Sequence, residues 1–166
     1  AVALQTAHLM DFLRGDALNL RNRIARVLPH WSAQVPGYSY VLGMQAFGLE
    51  ECNQYSEAER TAQQALEIEP RDGWAVHAVA HVMEMQGRID DGIDWLHTLT
   101  AGLDRLRADG LPVRGVCWYS RGDQYDWDTM LTRPVGEVTR VGLFDDERRP
   151  RPVADAYAGL ARRHSR

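Results

Sequence analysis

The chain contains no lysine: all 19 of its basic residues are arginine. Against 23 acidic residues they leave a formal net charge of −4, which removes the electrostatic case for nucleic acid or an anionic membrane as partner. Cysteine is scarce as well. Cys52 and Cys117 stand far apart and outside any CxxC pattern, so neither a disulfide framework nor a thiolate metal site is expected. Two buried free thiols in a reducing, cytoplasmic compartment fit better. No apolar run approaches the roughly 20 residues of a membrane-spanning helix, and no signal peptide is visible. The HExxH pattern of zinc proteases is missing too. The first residue is Ala1, not Met, and it opens directly into helical pattern, as a fragment would. What remains is a chain of 166 residues with ordinary hydrophobic content, 45%. It has room for one compact domain or two small ones.

The most informative stretch is WAVHAVAHVMEMQG, residues 74–87. It is apolar enough for a buried helix, yet it carries His77, His81 and Glu84. Spacings of i, i+4 and i+7 put these three side chains on one helical face.

The chain before it reads as helices separated by breakers. Residues 1–15 form a helix with an apolar stripe of Leu4, Leu9, Phe12 and Leu13, stopped by Gly15. Asp16 is the expected N-cap of a second helix that follows Leu20, Ile24, Val27 and Leu28 and ends at Pro29. Pro36 and Gly37 break the chain before the next helix. His8 and His30 are single histidines, for which packing or capping is the ordinary role.

Comparing the chain with itself at an offset of 34 residues gives a consistent register. Leu42 falls on Val76, Ala46 on Ala80, Leu49 on Met83, Asn53 on Gly87, Tyr55 on Ile89 and Ala65 on Leu99. A period of 34 is that of the tetratricopeptide (TPR) helix–turn–helix. Ala46 and Ala58 supply the small side chains that two closely crossing helices require, and Pro70 ends the second helix of the first copy. The pattern is clear in both copies until Leu96.

The segments ARVLPHW (25–31), YVLGMQAFGLEEC (40–52), EAERTAQQALEIEPRD (57–72) and WAVHAVAHVMEMQG (74–87) resemble the tetratricopeptide repeat protein 38 family in its bacterial form, over residues 7–96. The resemblance implies an α-solenoid and little biochemistry.

In a TPR unit, repeat positions 2, 5, 9, 12 and 13 line the concave groove. Those positions are Tyr40, Gly43, Phe47, Glu50 and Glu51 in the first copy, and Trp74, His77, His81, Glu84 and Met85 in the second. Val76, Val79, Ala80 and Met83 then face the packing. Solenoids use such surfaces to bind other molecules. Three readings compete for this acidic, aromatic groove. It could hold a protein or peptide. It could hold a divalent metal on His77, His81 and Glu84, with Glu50 from the neighbouring helix in support. Or its histidines and carboxylates could satisfy one another across the helix pair.

After residue 97 the character changes. Residues 96–110 read as a helix ending at Gly110. LPVRGVCWYS (111–120) reads as a buried strand. Residues 121–152 are loop-like, with a short strand at 139–144, and residues 153–164 close the chain as an amphipathic helix with Pro152 in its first turn. Helix, strand, loop and helix make an α/β pattern.

RADGLPVRGVCWYSRGDQYDW followed by VGLFDDERRPRPVADAYAGL resembles the last strand and helix of a (β/α)8-barrel glycosidase of the family 1 kind, over residues 98–166. The resemblance implies sugar contact by Tyr119, Asp126 and Trp127, with Asp123 at another motif position, although Tyr119 and Asp126 replace the usual Trp and Glu. Both catalytic carboxylates of a retaining glycosidase would lie upstream of this segment, and a barrel needs about 250 residues. No catalysis is expected of this chain.

The sequence therefore predicts a mainly α protein: a TPR-like α-solenoid over residues 1–97 with a small α/β appendage over 98–166, joined near 92–97. It predicts a binding scaffold, with a protein or peptide in the groove and no cofactor beyond the divalent metal considered above. A lone barrel strand has unpaired edges, so self-association through 110–145 is also expected.

Overall fold

The computed structural model describes residues 2–127 and 133–164. The part of the expected loop at 128–132 lies outside the described residues. Seven helices dominate: α1 (Val2–Leu13), α2 (Ala17–Val27), α3 (Tyr38–Glu50), α4 (Tyr55–Ile68), α5 (Gly73–Met85), α6 (Ile89–Ala108) and α7 (Pro152–His164). Two short strands, β1 (Gln124–Tyr125) and β2 (Val138–Thr139), pair antiparallel. The chain divides into two compact units, one containing Ala1–Gln86 and the other most of the chain from Gly87 onward. The joint expected near 92–97 falls inside α6, which continues through it as 20 unbroken residues.

Local chemistry sets most helix ends of the first unit. The Asp16 carboxylate accepts the amide of Asn19 and caps α2. That bond satisfies one of the amides a helix start leaves without a partner. Pro29 sits in a single 3-10 turn, Leu28–His30, that finishes α2. Asp72 caps α5 by accepting from Trp74 and Ala75. The helices α3 and α5 both have 13 residues, and past their ends Asn53 and Gly87 both take left-handed backbone, φ 59 and 65. These two residues are one 34-residue step apart. Gly adopts that conformation without strain and Asn tolerates it better than most, so the two turns share a backbone conformation.

The central helix is α3, which packs on α2, α4 and α5. Ten successive residues, 41–50, are buried. A helix enclosed all round has no solvent face to carry polar residues, yet α3 also encloses Gln45 and Glu50. Small residues let its neighbours approach. A Cβ at Gly48 would lie 2.7 Å from the Arg21 Cα of α2, and one at Gly43 would lie 2.6 Å from Asp72 Oδ1 and 2.9 Å from Trp74 Cβ. Ala46, Ala58, Ala62 and Ala65 are fully enclosed, as the crossing argument requires.

The leading helix departs from its expected stripe. Leu9 and Leu13 are exposed, and α1 buries His8 and Asp11 instead. Two partners reverse the hydropathy rule here. Arg23 of α2 holds Asp11 with two bonds of 2.6 and 2.9 Å, and the rings of Phe47 and Trp74 enclose His8. Pairing makes the burial of Asp11 tolerable, whereas ring packing leaves the His8 nitrogens buried at a cost.

In the second unit α6 packs on α7. The strand expected at 111–120 does not form; that run is irregular and largely exposed. Tyr157 of α7 donates to the Val116 carbonyl, 2.9 Å, and backbone bonds from 143 to 120 and 144 to 121 fix the end of the run. The two strands that do form lie in the segment expected as loop, with Val138–Thr139 only touching the expected 139–144. Thus an apolar, β-branched run is not a strand without a partner of matching length. Cys117 is consequently exposed, and Cys52 is half-buried with its thiol 3.3 Å from the Ala17 carbonyl, so neither cysteine is the fully buried thiol expected.

Candidate functional site

The helices α3 and α5 run side by side in the same direction. Gly43 meets Asp72 and Trp74, Phe47 meets Trp74 and His77, and Glu50 meets His81, so successive positions of one helix meet successive positions of the other. This alignment brings the expected groove residues together along one line. Two of them lie inside it. Phe47 and Glu50 are 2% and 3% exposed, because His8 and Phe12 of α1 pack on Phe47 and α5 covers Glu50. Gly43, also assigned to the groove, lies under the N-terminus of α5.

At the N-terminal end of this line is an open cleft of about 460 Å³, lined by Gln5, Tyr40, Gly73, Trp74 and His77. Tyr40 is 47% exposed, Trp74 is half-buried, and His77 reaches the surface. The walls are mainly aromatic. Behind them the rings continue inward: Trp74 to His8 at 5.2 Å, Trp74 to Phe47 at 5.1 Å and Phe47 to His77 at 5.3 Å between centroids. Edge and tilted contacts of this kind are the favoured aromatic geometries. They hold the Trp74 and His77 rings in place.

Toward the C-terminal end the chemistry turns acidic. The His77 and His81 rings lie 4.2 Å apart, tilted by 30°. On its other side His81 Nδ1 is 3.6 Å from Glu50 Oε1. Glu51 and Glu84 flank the same imidazole, both half-buried, and their charges act on it. Three carboxylates therefore surround one histidine. The second oxygen of Glu50, Oε2, is enclosed without a hydrogen-bond partner.

These neighbours pull the titrating groups apart. Burial and the adjacent His81 lower His77 to about 4, even though its ring reaches the surface. Burial also works against a proton on His81, but the hydrogen bond to Glu50 and the charges of Glu50, Glu84 and Glu51 outweigh it and raise His81 above its ordinary value. Burial and the Glu50 charge push Glu51 up to about 7, against the opposing pull of His81. The pair therefore favours a proton on His81 over one on His77. Burial likewise lowers His8 to about 4, against the nearby Leu20 carbonyl and the Asp11 charge.

Among the described residues, no group of three His, Cys, Asp or Glu side chains is disposed to hold a metal ion. His77 and His81 are stacked on each other, and His81 is turned toward Glu50. The predicted metal residues His77, His81 and Glu84 thus lie on one face, with the histidines engaged in a ring contact and an ion pair.

The residues Tyr119, Asp126 and Trp127 belong to the second unit. The rings of Tyr119 and Trp127 are tilted against each other at 5.4 Å, and Tyr119 is 66% exposed. Asp126 has another occupation. Its two oxygens accept the amides of Gly136 and Glu137, both at 3.0 Å, which fixes the turn beside the strand pair. Asp123 likewise accepts from Gly142 and pairs with Arg151.

Two contributors, Gln5 and Asp72, escaped the sequence reading, and His8 was read there only as a packing or capping residue. Their signals were present but weak. His8 stands midway between Leu4 and Phe12 at helical spacing, and Asp72 precedes the first turn of α5 as a capping residue does. No family model matches the chain, and no solved structure matches it.

Proposed function

We propose that residues 2–86 form a TPR-like helical-repeat scaffold that binds an extended segment of another protein along the α3–α5 face. The observation that carries this reading is the open cleft lined by Gln5, Tyr40, Gly73, Trp74 and His77. Concave sites rich in aromatic side chains with a few polar groups are the usual form of a binding site, and exposed aromatic rings contribute most of the energy where they are buried by a partner. Support also comes from the 34-residue step between the Asn53 and Gly87 turns, which fits the repeat period. No catalytic step is assigned to this face.

The test is selection from a displayed library of short random peptides. Wild-type protein should enrich a common sequence, and Trp74→Ala and Tyr40→Ala should abolish the enrichment while leaving the helical circular-dichroism spectrum unchanged. Enrichment that survives both changes rules the cleft out.

A second reading concerns the second unit. The Tyr119–Trp127 ring pair, exposed at Tyr119 and half-buried at Trp127, offers one ring face on which the apolar face of a sugar could stack. With Asp126 committed to two backbone amides, the platform would bind weakly and without chemistry. Titration calorimetry with simple glycosides decides it, and no heat from any of them dismisses it.

A further inference from the structure

We infer that α1 pairs antiparallel with the α1 of a second copy of this chain, along the stripe Val2, Thr6, Leu9 and Leu13, to give a weak two-fold dimer. None of these residues lines the cleft, and the inference does not depend on the binding reading above.

The helix is turned apolar side out. Val2, Leu9, Met10 and Leu13 are between 44% and 78% exposed. Asp11 is the one acidic or basic residue of α1, and it faces inward, held by Arg23 at 2.6 and 2.9 Å. His8 is enclosed by Phe47 and Trp74. These two contacts fix the roll of the helix, so it cannot turn its leucines inward without burying something worse. Ala3 and Thr6 complete the exposed side. The Thr6 hydroxyl donates to the Val2 carbonyl at 3.1 Å, which leaves its methyl group to face outward with the leucines. The stripe therefore carries neither a charge nor an unanswered hydroxyl. A contiguous apolar surface of this kind marks an interaction site.

Two properties select a second copy as the occupant. The stripe residues are separated by four, three and four positions, the alternation of a coiled-coil seam. That spacing is also symmetric about its midpoint. Reversing one helix sets Val2 against the partner's Leu13 and Thr6 against the partner's Leu9, so the stripe is complementary to itself, as an isologous interface must be. The lack of charge acts in the same direction. Two copies meet here without like-charge repulsion, and neither strips water from an ion. Area sets the strength. The stripe offers on the order of 300 to 400 Å² on each copy, about half of what a standard interface takes from each partner. The dimer should accordingly be reversible, with a dissociation constant of roughly 10 to 100 μM.

The test is sedimentation equilibrium of the whole chain at concentrations from about 1 to 500 μM, a range that brackets this affinity. The expected result is a reversible monomer–dimer equilibrium. Leu9→Glu/Leu13→Glu should weaken it by about a hundredfold or more. Both side chains are exposed, so an unchanged melting temperature at low concentration confirms that this variant still folds. Thr6→Leu, which fills the centre of the seam, should tighten the dimer by about tenfold. Val116→Glu, in the exposed run 111–120, should leave it unchanged. A monomer throughout the range overturns the inference. So does a dimer that survives the two glutamates, one that Thr6→Leu fails to tighten, or one that Val116→Glu abolishes, since each places the contact elsewhere.

Discussion

His81 lies between a carboxylate and a second imidazole: its Nδ1 is 3.6 Å from Glu50 Oε1, and its ring centroid is 4.2 Å from that of His77. The two histidines differ by a single turn of α5 and are shifted in opposite directions. Burial lowers His77 and the adjacent His81 adds to it, while Glu50 leads the groups that raise His81. A proton stabilised on His81 by Glu50 raises the cost of a second proton on His77.

Replacing Glu50 by Gln removes the main support for that proton. The midpoint of His81 should fall, because burial is then opposed by fewer neighbouring charges. His77, relieved of a charged neighbour, should rise from about 4. Proton NMR of the imidazole resonances reads both shifts in one titration. Movement of both histidines in the same direction would show that they are not coupled.

His8 makes stability depend on pH in the acid range. Its folded value is lowered from 6.5 to about 4, so below 6.5 the unfolded chain takes up a proton that the folded chain refuses. Stability is complete above 6.5 and is lost as pH falls toward 4. At about pH 5 the loss from this group is about 2 kcal/mol. His8→Leu should therefore narrow the stability difference between about pH 7 and pH 5 by that amount, as measured by urea unfolding.

Glu51 acts with the opposite sign. Its folded value is raised from 4.5 to about 7, so the unfolded chain ionises first as pH rises. Its contribution is complete below 4.5 and is lost between 4.5 and 7. Glu51→Gln should stabilise the protein above about pH 7, on the order of 1 to 2 kcal/mol once its partial exposure is allowed for. It should make little difference near pH 4. Equal effects at both pH values would contradict the assignment.

Two glycines should respond oppositely to alanine. A Cβ at Gly48 would meet the Arg21 backbone at 2.7 Å, so Gly48→Ala must push α2 and α3 apart and should cost about 1 to 3 kcal/mol. Gly92 lies within α6 with nothing near its missing Cβ, and Gly92→Ala should stabilise by about 0.5 to 1 kcal/mol through helix propensity. Thermal melts of the two variants should move in opposite directions.

Much of the helical half was legible because its signals are local. Asp16, Gly15, Pro29, Pro36, Gly37 and Pro70 punctuate helices through capping, fixed φ or a missing amide, and none of these depends on a distant residue. The 34-residue step between the Asn53 and Gly87 turns was equally readable, since it is a property of spacing. The second half was harder. The residues 111–120 have the composition of a strand, but a strand exists only by pairing, and its partner is set by the rest of the chain. The same limit applied to α1, where the apolar residues Leu9 and Leu13 are outside while His8 and Asp11 are inside.

The sequence by itself determined where the first unit turns and which residues share the α5 face, because helical periodicity converts spacing directly into direction. It also determined the charge and aromatic inventory of that face. Only the tertiary structure decided which of these side chains meet solvent. Phe47 and Glu50 are enclosed because α1 and α5 close over them, whereas Tyr40 and His77 stay at the surface, and repeat position alone does not distinguish the two pairs. Tertiary contact also decided the electrostatics. His77 and His81 are equivalent in helical pattern, and the proximity of Glu50, a residue 31 positions away in the chain, is what favours a proton on His81.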